Sequence, residues 1–167
     1  LMRQLAKELI NTKTDKKNIL IINLEDRRFT EFSIKLLDEI YETYLEFVKP
    51  DKKPYIFLDE IHNIPEWERW ARTIHELNKA KIIVSGSSAD LLKGELATLL
   101  TGRHLDIPTF PLSFKEFLYF NGLEIKDLLG MISEKIRIRR FFNEYLEFGG
   151  FPEVFLSKEK KQLLLTY

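Results

Sequence analysis

The chain has 167 residues, 44% of them hydrophobic, which is enough for one domain with a substantial core or for one domain with a small appendage. Its 26 basic and 26 acidic residues cancel, so no overall field attracts it to nucleic acid or to a membrane surface. The absence of cysteine excludes disulfides and thiolate metal sites, and no apolar run approaches the roughly 20 residues that span a bilayer. We therefore expect a cytoplasmic protein with no membrane partner.

Helices and strands are predicted to alternate from the first residue. Apolar residues at helical spacing predict a helix over residues 1–10, and the apolar run between Asn18 and Glu25 predicts a buried strand. A second amphipathic helix is predicted from Phe32 to Val48, and Pro50 follows its end.

Four apolar residues, Tyr55 to Leu58, run directly into the carboxylates of Asp59 and Glu60. Such a short apolar run after Pro54 predicts a strand that is buried on both faces of a parallel sheet. Its two acids then lie at the carboxyl edge of the sheet, where open α/β sheets bind ligands. Two carboxylates at that edge suit Mg²⁺ and an attacking water, and the segment resembles a Walker B motif.

The alternation continues with a helix predicted from about Trp67 to Asn78 and a third strand predicted from Lys81 to Ser88. Residues 105–110 predict a short fourth strand, which Pro108 restricts to an edge or an end of the sheet. Strands that alternate with helices imply right-handed βαβ crossovers, so we predict an α/β fold with a mostly parallel sheet.

Beyond Pro111 the pattern becomes helical. Helices are predicted at 113–120 and 136–148, with Asn-Gly between them. We predict two domains: an α/β core over residues 1–110, and an incomplete helical or winged-helix-like region over residues 111–167.

Five segments occur in an order that is typical of one family. In chain order they are Leu58-Asp59-Glu60, Val84-Ser85-Gly86-Ser87-Ser88, Leu100-Thr101-Gly102-Arg103, Pro111-Leu112-Ser113-Phe114-Lys115-Glu116-Phe117 and Gly149-Gly150-Phe151-Pro152. Together they resemble the AAA+-type P-loop ATPases of archaea and bacteria, in which an AAA_14-like domain precedes a DUF4143-type C-terminal region. The resemblance covers nearly the whole chain and implies a three-layer P-loop NTPase core of the ASCE/AAA+ type.

One part of the family pattern does not occur in the sequence. Such ATPases carry G-x-x-x-x-G-K-[ST] between their first strand and first helix, where it holds the phosphates. In the family this loop runs into a helix that resembles the opening segment Leu1-Met2-Arg3-Gln4-Leu5. We therefore expect the chain to begin just after the phosphate loop and to be inactive by itself. The missing first strand would lie between the strands at 81–87 and 105–110.

The resemblance also implies a role for each candidate site residue, with ATP and Mg²⁺ as ligands. Asp59 would hold Mg²⁺ through its water shell, and Glu60 would orient and deprotonate the attacking water. Ser85 and Ser87 would be sensors of the γ-phosphate, although serines at such positions also begin loops and cap helices. Arg103 would be an arginine finger that completes a neighbouring subunit's site in a homo-oligomer, or else a solvated surface arginine.

Two alternatives to an AAA+-type ATPase stay open. The segment Asp59-Glu60-Ile61-His62 also matches the D-E-x-H box of helicases, but the helicase arginine motifs would need a second domain. The other alternative is a degenerate ATPase fold that serves only in oligomerisation or in binding a DNA or protein partner. Glu60 argues against it, because a domain without hydrolysis has no chemical need for both carboxylates.

Overall fold

A computed structural model of the chain describes residues 1–87 and 102–165. Ser88 and the Leu100-Thr101 half of the Leu-Thr-Gly-Arg segment lie outside the described residues. The chain divides into two compact units, Leu1–Leu105 and Asp106–Tyr167.

The first unit alternates helices and strands. In chain order its elements are α1 (Met2–Asn11), β1 (Ile19–Asn23), α2 (Ile34–Val48), β2 (Tyr55–Asp59), α3 (Trp67–Glu76) and β3 (Lys81–Val84). Short 3₁₀ turns at Lys16–Asn18 and Ile61–Asn63 precede β1 and follow β2. The elements predicted from the sequence up to β3 are confirmed, although β3 is shorter than predicted.

The three strands form one parallel sheet in the order β1-β2-β3. Ile21 of β1 lies opposite Phe57 of β2, and Phe57 lies opposite Ile83 of β3. Helices flank this sheet, so the predicted fold class is confirmed: an α/β fold with a P-loop NTPase-like core. All three strands end at the same edge of the sheet, which we call the carboxyl edge. The opposite edge, where they begin, is the amino edge.

The main core packs one face of the sheet against α2 and α3. Ile56 and Leu58, which share a face of β2, are each 1% exposed, and they belong to one cluster with Leu37 of α2 and Trp70 of α3. Burial of each such aliphatic side chain is worth about 1.5–3 kcal/mol. Phe57 points to the other face and is also fully buried. The double-sided burial of β2 explains why its sequence is a continuous apolar run.

The second unit is helical. Its described elements are α4 (Phe114–Phe120), α5 (Leu128–Ser133), α6 (Lys135–Phe148), α7 (Pro152–Leu156) and α8 (Lys160–Leu164). Ser113 and Glu116 form a capping box at the start of α4, and Phe117 of α4 packs against Phe141 of α6 in a small core. Residues 106–165 contain no strand. Nowhere in the described ranges is there a helix both long and apolar enough to cross a membrane.

The fourth strand predicted at 105–110 is wrong, since the structure has no strand there. Leu105 and Ile107 alternate with polar residues as in a strand, but their side chains are 84% and 72% exposed. An alternating pattern stabilises a strand only when one face is buried, and Pro108 also lacks an N–H for a ladder hydrogen bond. The family's first strand is predicted to lie between the strands at 81–87 and 105–110. Because residues 105–110 form no strand, one of its two predicted neighbours does not exist.

Candidate active site

The candidate site lies at the carboxyl edge of the sheet in the first unit. Strand β2 ends at Asp59, and β3 ends at Val84 directly before Ser85. The parallel register places Leu58 opposite Val84, so Asp59 and Ser85 are neighbours on adjacent strands. The edge at which the acids lie is therefore the one predicted from the sequence.

Asp59 and Ser85 are in direct contact. The Ser85 hydroxyl donates a hydrogen bond to Oδ1 of Asp59. The backbone of Ser85 is fixed on both sides, because its N–H donates to the Leu58 carbonyl at 3.0 Å and its carbonyl accepts from the Ile61 N–H at 3.1 Å. The serine thus holds one oxygen of the carboxylate, Oδ1, at the carboxyl edge.

Ser87 lies two residues further along the same segment and is exposed. The backbone pairing with the β2 segment extends to Ser85. The fold brings Ser85, one of the two serines predicted as sensors, into contact with the carboxylate.

Glu60 adopts the left-handed conformation, with φ 56° and ψ 47°. Lys49 and Asn78 adopt the same conformation where α2 and α3 end, which is a common way to end a helix. Glu60 instead follows a strand, and a non-glycine residue there carries a strain of about 1 kcal/mol or more. The left-handed turn takes the chain out of the sheet at once, so Glu60 stands at the edge while Ile61 enters the core.

His62 approaches Glu60, a contact that no sequence motif predicts. Its Nδ1 lies 3.2 Å from Oε2 of Glu60, and the two side chains are 25% and 33% exposed. Nδ1 is buried and is not aligned with the carboxylate for a hydrogen bond. A small rotation of either side chain would form that bond. The i, i+2 spacing across a 3₁₀ turn was the only sequence signal for the pair.

Arg103 does not join the carboxylates within this chain. Its Nη1 forms an ion pair at 3.0 Å with Oε1 of Glu76, the last residue of α3. Because α3 connects the carboxyl end of β2 to the amino end of β3, Glu76 lies toward the amino edge of the sheet. The hydrogen bond from Arg72 and the nearby charge of Arg103 lower the pKa of Glu76. Arg103 is thus held as a cation away from the site of its own chain.

The residues at the edge fit Mg²⁺ better than other metal ions. Asp59 and Ser85 present only oxygen atoms, which hard cations prefer. Within residues 1–87 and 102–165, no three His, Cys, Asp or Glu side chains gather as a metal cluster. A single carboxylate supported by a hydroxyl suits an ion that keeps several waters and is shared with substrate phosphates, as Mg²⁺ is.

Comparison with known families agrees with this geometry. A family model described as an AAA domain, AAA_14, matches residues 1–118. The chain belongs to this family. Together with the parallel sheet, membership gives the chain a nucleotide-binding, ATPase-like fold. The match of the AAA domain ends within α4, and a DUF4143-type region after it stays a prediction.

Relatives of this AAA domain occur in archaea and bacteria. The uncharacterized protein MJ1544 of Methanocaldococcus jannaschii is 36% identical over 163 residues, covering 96% of this chain and 36% of the relative. An uncharacterized protein of Haemophilus influenzae is 33% identical over 152 residues, covering 90% and 36% respectively. The chain thus spans about a third of the length of these curated relatives. No solved structure matches the chain.

Proposed function

We propose that this AAA domain supplies the hydrolytic edge of a Mg²⁺-dependent ATPase that uses ATP to drive a conformational change in the full-length gene product. The observation that carries the proposal is the pair Asp59 and Glu60 at the carboxyl end of a doubly buried strand, with Ser85 bonded to Asp59. Structural capping alone would not require two adjacent carboxylates at the edge where α/β sheets bind nucleotides.

Each side chain has a distinct role in the proposed reaction. Asp59 would hold Mg²⁺ through its water shell, and the Ser85 hydroxyl fixes the orientation of that carboxylate. Bound Mg²⁺ supplies positive charge that neutralises the phosphate oxygens. Glu60 accepts the proton of the attacking water as the new bond to the γ-phosphorus forms and the bond to the bridging oxygen of ADP breaks. His62 Nδ1, 3.2 Å from Oε2 of Glu60, would position that carboxylate after a small rotation aligns the two groups for a hydrogen bond.

Two further residues complete the proposal. Ser87 follows Ser85 on the segment that leaves the sheet and would contact the γ-phosphate as a second sensor. Arg103 would act in trans, because its ion pair with Glu76 holds it away from Asp59 and Glu60 in its own chain. Such a role requires a homo-oligomer in which Arg103 of one subunit faces the carboxyl edge of the next.

Replacement of Glu60 by glutamine in the full-length gene product tests the proposal. The amide keeps the size of the side chain but cannot accept the proton, so ATP binding should persist while turnover falls by about 10²–10⁴-fold. Phosphate release measures turnover, and a fluorescent ATP analogue measures binding. Glu42→Gln, on the exposed surface of α2, is the matched control and should leave both unchanged. Turnover that stays at the wild-type rate in Glu60→Gln would exclude the mechanism.

A subunit-mixing experiment tests the trans role of Arg103. Arg103→Ala and Glu60→Gln should each be inactive as homo-oligomers, because one lacks the finger and the other lacks the base. Mixed subunits should recover part of the activity, since some interfaces then combine an intact Arg103 with an intact Glu60. Mixtures as inactive as either variant would rule out a shared site.

A further inference from the structure

The amino edge of the sheet, opposite the candidate site, contains a basic cavity. The cavity has a volume of about 680 Å³, and lysines at positions 13, 52, 53 and 81 contribute to its lining. They come from three separate segments that lead into the three strands. The fold thus gathers these lysines at one place, although they are far apart in sequence.

The positive charge extends beyond the cavity along the whole amino edge. The segments 12–18, 49–54 and 78–81, which enter β1, β2 and β3, together carry eight lysines and two aspartates in a chain with no net charge. Both aspartates are engaged locally. Asp15 accepts a hydrogen bond from the Lys17 N–H, and Asp51 forms an ion pair with Lys17 Nζ at 3.1 Å. We call these three segments the amino-edge basic face.

A buried asparagine holds this face in shape. Asn18 is 2% exposed, and its Oδ1 accepts from the N–H groups of Asp51 and Lys52 at 3.1 and 3.2 Å. Its Nδ2 donates to Asp51 Oδ1 at 2.7 Å, and the Tyr44 hydroxyl donates to the Lys17 carbonyl at 2.5 Å. The loop before β2 is therefore fixed to the start of β1, so the lysines extend from a rigid base.

The lysines that line the cavity have no acidic partner in the described part of the chain. Lys53 Nζ contacts the neutral Oδ1 of Asn78. Lys81 Nζ lies 2.8 Å from the Tyr55 hydroxyl and 4.5 Å from the centre of its ring. Lys13 and Lys52 form no ion pair with any residue in 1–87 or 102–165. The cavity lining also contains Asp15 and Asp51, so its four lysines exceed its carboxylates by two.

We propose that the amino-edge basic face binds the phosphodiester backbone of a nucleic-acid strand laid across the beginnings of β1, β2 and β3. Three strands about 4.8 Å apart span roughly 10 Å, which is about the length of three nucleotides at a rise of about 3.4 Å. A compact anion would use the cavity alone and leave the flanking lysines 16, 49 and 79 without a role. Lysines contact phosphates as point charges, so the binding should be independent of sequence.

Fluorescence anisotropy with a labelled 20-nucleotide oligothymidine and the full-length gene product tests this proposal. ATP is left out, so the result does not depend on whether the protein hydrolyses ATP. The test variant carries Lys13→Gln, Lys52→Gln and Lys53→Gln. The matched control carries the same substitution at exposed lysines elsewhere, namely Lys7, Lys35 and Lys115.

We expect the affinity of the wild type to fall about 20-fold between 50 and 200 mM salt if three phosphates are contacted. The test variant should bind at least about tenfold more weakly at 50 mM salt, and its log–log salt slope should be shallower by about 2. The control should behave as the wild type. A double variant, Lys13→Gln with Lys52→Gln, should have an affinity between those of the wild type and the test variant. Circular dichroism checks that each variant is folded.

Equal affinities of the test variant and the control would overturn the proposal. Absence of any oligothymidine binding by the wild type at 50 mM salt would also overturn it. Vesicles that contain phosphatidylserine form a separate arm of the experiment. Vesicle binding that depends on the same lysines, without oligothymidine binding, would assign the face to a lipid surface instead.

Discussion

The Ser85 hydroxyl donates a hydrogen bond to Oδ1 of Asp59 between the adjacent ends of β3 and β2. This bond occupies one oxygen of a half-buried carboxylate at the carboxyl edge. In the proposed mechanism Asp59 acts on the water shell of Mg²⁺, so the serine should influence the metal more than the nucleotide.

Ser85→Ala should therefore raise the Mg²⁺ concentration needed for half-maximal ATP hydrolysis by about tenfold. A hydrogen bond to a charged group is worth about 1.5–3 kcal/mol, and partial exposure to solvent places this bond at the lower end of that range. The maximal rate at saturating Mg²⁺ should fall less. Phosphate release measured across a Mg²⁺ titration gives both quantities. Ser33→Ala is the control, because Ser33 makes no side-chain capping bond at the start of α2. An unchanged Mg²⁺ requirement in Ser85→Ala would contradict this role.

Glu60 should show a conflict between stability and activity. Its left-handed backbone costs a non-glycine residue about 1–2 kcal/mol, whereas glycine avoids this strain but loses about 0.5–1 kcal/mol more conformational entropy on folding. Glu60→Gly should thus be as stable as the wild type or up to about 1.5 kcal/mol more stable, while it loses ATP hydrolysis. Urea unfolding measures the first quantity and phosphate release the second.

Glu60→Ala separates the backbone effect from the loss of the side chain. It removes the same carboxylate but keeps the Cβ that the left-handed conformation disfavours, so it should be about 1 kcal/mol less stable than Glu60→Gly. Equal stabilities of the two variants would show that residue 60 is not held in the left-handed region.

The sequence predicted the first unit well because its signals are local. The apolar run from Tyr55 to Leu58 needs burial on both faces, and a parallel sheet supplies it. That inference placed Asp59 at the correct edge without any knowledge of its partners. The contact with Ser85 depends on the register of two strands 26 residues apart, and a continuous apolar run lacks the alternation of buried and exposed residues that specifies register.

One wrong prediction and two features that were not predicted have physical reasons as well. Residues 105–110 alternate in polarity, but burial decides whether such a pattern forms a strand, and it is not a local property. The ion pair of Arg103 with Glu76 depends on the position of the end of α3 in the fold, and no sequence motif predicts that position. The left-handed turn at Glu60 also has no composition signal, because glycine, asparagine and aspartate are the usual residues there.

Tyr44 should make the protein sensitive to alkaline pH. Burial, and to a smaller extent the charge of Tyr41, raises the pKa of Tyr44 to about 12. The folded pKa then lies above the unfolded value of about 10, so the neutral phenol stabilises the fold below pH 10, and this contribution is lost as pH rises from about 10 to 12. Between pH 10 and 12 the free energy of unfolding should fall by up to about 1.4 kcal/mol per pH unit.

Tyr44→Phe tests the origin of this loss. At pH 8 the variant should be about 1 kcal/mol less stable, because it lacks the hydrogen bond to the Lys17 carbonyl. The difference in the free energy of unfolding between Tyr44→Phe and the wild type should narrow as pH approaches 11, because phenylalanine does not ionise. Urea unfolding at pH 8, 9, 10 and 11 measures this difference. Tyr119→Phe, at a 66% exposed position, is the control, and its free energy of unfolding should change with pH as that of the wild type does. A constant difference at every pH would exclude Tyr44 as the titrating group.

Gly150 should be the least replaceable glycine of the second unit. A Cβ at this position would lie 2.2 Å from the Leu112 carbonyl oxygen, which also accepts a hydrogen bond from the Tyr145 hydroxyl at 2.7 Å. Because backbone must move to make room, Gly150→Ala should destabilise the unit by about 1–3 kcal/mol. Hydrogen exchange of the amides in α4 and α6 measures the stability of this unit separately from that of the first unit.

Gly122→Ala is the control: its φ of 72° disfavours alanine by about 1 kcal/mol, but no atom lies within 4 Å of the added Cβ. Equal loss of protection in both variants would mean that conformation, and not the close approach to Leu112, determines the need for glycine at position 150.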